Sequence, residues 1–280
     1  MPSFKTWRKI AAVPDFTELK QKHRATWASG DYDRIAQGIL AVADHVVRVG
    51  RIRAGERVLD IACGTGNTAL MARARGAVVT GLDLTPELLA IARTRGAEQG
   101  YDDITWTEGD AENLPFPDGA FDVVVSSCGL MFAPDQQKAA KELTRVTRLG
   151  GRIAIQAWTR EGGVGRVFKL TNAYVPPPPG VPSPFEWGDE EKVQTLLGPS
   201  FQDYRFARYD CPEFADTPEQ LADLFIKKFG PTYRVYTSLP QDKAAAFRKD
   251  LIDLYRGYVT PADGKVRWGR EYIVTLATRG

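Results

Sequence analysis

Val58-Leu59-Asp60-Ile61-Ala62-Cys63-Gly64-Thr65-Gly66 decides the fold of this chain. A short apolar run closes on an acid, passes through a loop of small residues and leads into a helical pattern. That succession spells a buried strand, a tight turn and a helix start, where a parallel α/β sheet holds a nucleotide-like cofactor.

Working outward, residues 17–49 read as helical, with Asp33 opening a stripe of Ile35, Ile39, Val42 and Val46 and Gly50 closing it. Strands are expected at 57–62, 78–83, 104–108, 121–126 and 152–158. Helices are expected at 66–75, at 86–98 with Pro86 in the first turn, and at 136–148 before Gly150-Gly151. Strands alternating with helices of this length predict an α/β, Rossmann-like doubly wound sheet.

Past Trp158 the rhythm changes. Residues 161–200 are rich in Gly and Pro, and Pro176-Pro177-Pro178-Pro179 reads as a stiff loop rather than a partner's polyproline ligand. A strand is expected at 201–211 and helices at 217–229 and 241–258, the first with Thr217 as cap and Pro218 in its first turn. A last strand falls at 271–278, so a helical insertion over 212–265 separates the final two strands and can roof a substrate pocket. The expected layout is a single domain. Its parts are a helical lid at 1–50, a cofactor-binding core at 51–160, substrate-side loops and the insertion at 161–265, and a final strand at 266–280.

The 280 residues carry a net charge of +2, which supports no strong electrostatic partner. The basic residues among the first 24 (Lys5, Arg8, Lys9, Lys20, Lys22, Arg24) read as a solvated face, and nucleic acid is not an expected partner. Cys63, Cys128 and Cys211 form neither a disulfide framework nor a zinc pattern, so no metal is expected. No stretch approaches the roughly 18 apolar residues of a membrane span, and the expected location is the cytoplasm.

Gly64-Thr65-Gly66-Asn67-Thr68-Ala69 also satisfies the dinucleotide fingerprint, and Asp83 stands at the second strand's end, where a carboxylate takes ribose hydroxyls. Asp60 discriminates between the cofactors. A carboxylate leading into the loop repels a pyrophosphate, whereas S-adenosylmethionine brings an ammonium and a sulfonium that it favours. The small residues Ala62, Gly64 and Gly66 allow close approach of the backbone. Asp110, just past the third strand, can accept from an adenine amino group while the Ala111 N–H serves the ring. Ser127, past the fourth strand, stands beside the expected methyl donor.

The segments VLDIACGTG, GLDLTPELL and GDAENLPFPDGAFDVVVSS, with Glu142-Leu143-Thr144-Arg145-Val146 running to Gly150-Gly151, resemble the class I S-adenosylmethionine-dependent methyltransferases. The branch they look most like is the ubiquinone/menaquinone-biosynthesis-like one (methyltransferase type 11). The resemblance implies a seven-stranded sheet whose last strand is antiparallel, with S-adenosyl-L-methionine as cofactor and S-adenosyl-L-homocysteine as product. It implies cofactor contacts from the glycine loop including Thr65, from Asp83 and the adjacent Leu84, from Asp110 and Ala111, and from Ser127. WASGDY, residues 27–32, looks like the segment that closes over the cofactor in such enzymes, with Tyr32 as a contact. Ala62 departs from the glycine many members carry.

Methyl transfer by in-line displacement asks the protein mainly for alignment and exclusion of water. A base is needed only where the acceptor must lose a proton. His23 is the weak candidate for that base; His45 sits beside an apolar stripe and reads as structural. Phe185, Trp187, Phe225, Phe229, Tyr233, Tyr236, Tyr255 and Tyr258 read mainly as core, and any that face the pocket favour a small apolar or aromatic methyl acceptor. The competing expectations are an NAD-dependent oxidoreductase on the same loop and a non-catalytic cofactor-binding relative. The sequence specifies neither the acceptor atom nor the oligomeric state.

Overall fold

The computed structural model describes residues 16–280. Lys5, Arg8 and Lys9 of the basic N-terminal cluster lie outside the described residues. Three helices come first: α1 (Thr17–Trp27), α2 (Tyr32–Gln37) and α3 (Leu40–Val49). The core follows as β1 (Arg57–Ile61), α4 (Asn67–Ala74), β2 (Val78–Asp83), α5 (Pro86–Glu98), β3 (Thr105–Glu108), β4 (Phe121–Ser127), α6 (Gln136–Val146) and β5 (Thr147–Trp158). Then come α7 (Gly163–Tyr174), α8 (Glu190–Leu197), β6 (Phe201–Asp210), β7 (Glu213–Ala215), α9 (Pro218–Lys228), α10 (Gly230–Ser238), α11 (Gln241–Arg256), β8 (Val266–Trp268) and β9 (Glu271–Arg279).

Seven strands form one sheet in the order β3-β2-β1-β4-β5-β9-β6. β9 runs antiparallel to both of its neighbours, and the pairs from β3 to β5 are parallel. This is the doubly wound sheet with a reversed last strand that the sequence implies. β1 and β4 are nearly continuous apolar runs because helices cover both faces. Val42, Ala43, Val46 and Val47 of α3 are buried, as are Ala139, Ala140, Leu143 and Val146 of α6. The strand order reverses between β1 and β4, and ligands of such sheets bind at the carboxyl ends beside that switch point.

The single helical run expected over 17–49 is three helices. Gly30 turns the chain at φ +77°, where a side chain would meet the Lys228 carbonyl, and a second break falls at Gly38. Asp31, not Asp33, caps α2 by accepting the Arg34 N–H at 3.3 Å. β5 begins five residues earlier than expected, because Thr147 pairs with Phe121 before an irregularity at Gly150-Gly151.

The stretch expected as loop at 161–200 contains α7 and α8. The glycines of α7 hide its pattern, yet Val164, Val167 and Thr171 share a buried face. Gly165 is small because the Arg160 carbonyl lies 2.1 Å from where its Cβ would stand. The helical insertion is present as α9, α10 and α11. β7 and β8 pair as an antiparallel ribbon at its base, a feature the short apolar runs did not announce.

The turn after β1 is left-handed at three positions: Ala62 at φ +54°, Gly64 at +55° and Gly66 at +87°. Glycine takes this conformation freely, whereas an L-residue pays about 1–2 kcal/mol. Ala62→Gly is therefore expected to raise stability by about 0.5–1 kcal/mol, after allowing for glycine's extra freedom in the unfolded chain. Urea denaturation of the two proteins checks it, and a less stable glycine variant would contradict the strain.

Candidate cofactor and acceptor site

A cleft lies at the carboxyl ends of β1, β2 and β4. Its floor is the β1–α4 turn, where Ala62, Cys63, Gly64, Thr65 and Asn67 reach the wall. Arg95 of α5 pins this turn, donating to the Thr65 carbonyl at 2.8 Å and the Thr65 hydroxyl at 3.0 Å. Gly66 does not line the cleft. It starts α4, and a side chain there would meet the Trp106 ring at 2.8 Å, so its smallness serves helix-on-sheet packing.

Asp83 ends β2 on the cleft wall. One of its oxygens accepts the Gly64 N–H at 2.8 Å and the other the Thr85 N–H at 2.8 Å, which ties the ends of β1 and β2 together. Burial raises the Asp83 carboxyl, and these N–H groups, with the Thr85 hydroxyl and the Leu84 N–H, oppose it. Leu84, Asp110 and Ala111 continue the wall. Asp110 accepts the Glu112 N–H at 2.9 Å and the Lys20 ammonium at 2.7 Å. Lys20 also pairs with the buried Glu112, whose other oxygen accepts the Asp135 N–H at 2.7 Å. Burial pulls the Lys20 ammonium down, but the two carboxylates outweigh it and hold its pKa above the ordinary lysine value. Ser127 lines the opposite end and shares a hydrogen bond of 2.7 Å with Thr68.

Asp60 does not reach the cleft wall. Its side chain is 1 % exposed, behind the turn, and neither oxygen has a hydrogen-bond partner among the described residues. Burial, opposed by the nearby Ala69 N–H and added to by the Asp83 charge, pushes its carboxyl well above the usual range. A buried carboxylate without a counter-charge is costly. Asn67 adds a second orphan: its amide donates to the Ala36 carbonyl at 2.9 Å, and its Oδ1 is buried and unpartnered. The floor of the cleft is thus rich in acceptors and poor in donors, a chemistry that suits a cation.

α1 and α2 cover the cleft. Tyr32 packs over Gly64, with ring carbon Cε1 3.4 Å from where a Cβ would be. Its hydroxyl has no partner among the described residues, and burial, then Cys128 and Asp83, keep it protonated. His23 stands on the wall the cleft shares with an outer groove lined by Pro177, Pro178 and Pro182. Burial lowers its pKa, so the imidazole is neutral at pH 7 and able to take a proton. His45 is remote from the cleft: it stacks on Tyr209 at 4.1 Å and bonds the Tyr272 hydroxyl.

A second, smaller chamber adjoins the first. Trp27, Tyr32, Ile39, Cys128 and Phe132 line both. Phe225 and Phe229 from the insertion, Phe168 from α7 and Trp158 from β5 complete an almost wholly apolar lining. Of the aromatics noted in the sequence, Phe225 and Phe229 face this chamber, Trp187 and Tyr255 are core, and Tyr233 lines neither space. Lys20 and Phe132 carried no sequence signal for this site, whereas Trp27 opens the WASGDY segment and Asn67 lies inside the loop motif.

The Asp60 environment sets a stability prediction. Its folded pKa lies above its unfolded one, so the protonated form folds best. Stability is fully present below the unfolded carboxyl value and is lost as pH rises toward the folded one. Asp60→Asn is expected to melt higher than the parent at pH 8, with the gap closing toward pH 4. A gap that stays constant across melting curves in this range would show that Asp60 is not strained by its charge.

Residues 59–155 match a family described as a methyltransferase domain. An uncharacterised protein of Mycobacterium tuberculosis is 38% identical over 262 residues, covering 92% of this chain and 94% of its own. A demethylmenaquinone methyltransferase of Thermus thermophilus is 43% identical over 122 residues, 42% of this chain and 55% of that enzyme. The structure of Haemonchus contortus phosphoethanolamine N-methyltransferase 2 in complex with S-adenosyl-L-methionine superposes with a TM-score of 0.55 at 18% identity, covering 96% of this chain and 60% of that one. The motif order, the sheet and these relatives agree: the chain belongs to the class I S-adenosylmethionine-dependent methyltransferases, in the methyltransferase type 11 branch, and its cofactor is S-adenosyl-L-methionine.

Proposed function

We propose that this enzyme methylates a small, apolar or aromatic metabolite seated in the chamber beside the cofactor cleft. The observation that carries the proposal is the shared wall: five side chains line both spaces, and the second space is aromatic and aliphatic almost throughout. Ligand pockets of this kind combine apolar lining with a few placed polar groups. The cofactor supplies an electrophilic methyl on a cationic sulfur; the chain's own task is to align the acceptor and keep water out.

We assign the cofactor's polar ends to residues on the cleft wall. Asp83 serves the ribose, Asp110 with Ala111 and Leu84 the adenine, and the turn of Ala62, Gly64 and Thr65 with Ser127 the methionine end. Tyr32 closes over it. Asn67 joins this set through its unpartnered Oδ1. Asp60 acts from behind the turn, gaining from the bound cation the counter-charge it otherwise lacks. A dinucleotide would bring phosphate to the same place, against that charge, which counts against the oxidoreductase alternative.

Three measurements test this reading. Asp60→Asn is expected to weaken S-adenosylmethionine more than S-adenosylhomocysteine by calorimetry, because only the former carries the sulfonium; equal losses would exclude an electrostatic role. Phe225→Ala is expected to lower affinity for the acceptor at least about tenfold, in line with a lost aromatic contact, while homocysteine-nucleoside affinity stays unchanged. A radiolabelled-methyl screen of small-molecule extracts supplies the acceptor. Incorporation only into protein or RNA would refute the small-molecule assignment.

A further inference from the structure

Among the described residues that line the acceptor chamber, Arg270 alone is charged. Arg270, in the short connection between β8 and β9, reaches its wall with a residue exposure of only 2 %. The guanidinium is held on one side. Nε donates to the Cys211 carbonyl at 2.7 Å, and Nη2 donates to the Gly38 carbonyl at 3.0 Å and pairs with Glu213 at 3.1 Å. The Trp268 ring lies 5.6 Å from the guanidinium carbon. Nη1 donates to no group among the described residues. A guanidinium carries five N–H donors, and those left unspent call for an acceptor. The other polar groups of the lining residues are the indole N–H groups of Trp27, Trp158 and Trp268, which only donate, the Tyr32 hydroxyl, and the Cys128 thiol, which already donates to Gln156.

We propose that Arg270 is the specificity-determining residue of this chamber, and that the methyl acceptor is an apolar ring bearing a neutral carbonyl oxygen directed to Nη1. The inference rests on the apolar-acceptor reading and names its polar end. Charge decides between a carbonyl and a carboxylate. Glu213 already balances the guanidinium, so the pair is close to neutral. A second carboxylate would have to leave water and face Glu213 as well as Arg270. A carbonyl takes the free donor without that cost.

The test uses three probes of one shape on the full chain saturated with S-adenosylhomocysteine: ethylbenzene, acetophenone and benzoate, titrated by NMR. Acetophenone is expected to bind roughly tenfold or more tightly than ethylbenzene, as one hydrogen bond from a charged donor provides, with benzoate weaker than acetophenone. Arg270→Met is expected to erase the preference for acetophenone. Glu213→Gln keeps the buried donor but removes its counter-charge, and is expected to move benzoate ahead. The parent protein and the Glu213 variant test the idea even if Arg270→Met does not fold. Equal binding of ethylbenzene and acetophenone to the parent overturns the anchor and leaves the apolar reading intact, as does a preference that survives Arg270→Met. Benzoate binding most tightly to the parent replaces the carbonyl by a carboxylate and overturns the proposal as stated. Failure of all three probes to bind removes the apolar reading itself, and the anchor with it.

Discussion

The chain must leave β1 and enter α4 within five residues, and it does so by turning left-handed at Ala62, Gly64 and Gly66. The geometry of the site depends on that turn. It brings the Gly64 N–H within 2.8 Å of Asp83, which locks the ends of β1 and β2. It also lets Tyr32 lie against the backbone and leaves Asp60 enclosed behind the loop. Arg95 fixes the turn from outside, so the floor of the cleft is rigid before any ligand arrives.

The charges in that floor do not cancel. Asp60 and Asp83 are both buried, and the nearby donors are backbone N–H groups directed to Asp83 rather than Asp60. A protein that keeps an uncompensated carboxylate in this position gives up stability in the ligand-free state. A cationic ligand recovers it. The same electrostatics that weaken the empty fold therefore favour a sulfonium cofactor over a diphosphate one.

The order of the strands and the position of the cofactor loop were legible in the sequence because both are local. Apolar runs of strand length, glycine stops and Pro86 each act within a few residues. Asp83, Asp110 and Ser127 came with the strands that end beside them. What was not legible depends on contacts far along the chain. α7 was hidden because Gly163 and Gly165 answer to Trp268 and to the Arg160 carbonyl, not to helix propensity. Lys20 reaches Asp110 across 90 residues, and Arg270 reaches Gly38 across 232. Asp60 was read as a direct contact because strand position alone does not say on which side of the loop a side chain ends. Phe225 and Tyr233 looked alike in sequence, and only the packing of α9 separates a chamber wall from a residue that lines neither space.

The cover over the cleft has a different character from its floor. α1 has no buried residue along its length. Trp27 at its end packs on Tyr32, Phe132 and Phe229, and its polar ties include the Lys20 pairs, the Arg24 bond to Glu108 at 3.0 Å and the bond from Arg234 to the Ala25 carbonyl at 2.8 Å. Hydrophobic cohesion would resist dissolved salt; these attractions are screened by it over about 8–10 Å at physiological concentrations. Salt thus loosens the polar ties of α1 and leaves the Trp27 contacts in place.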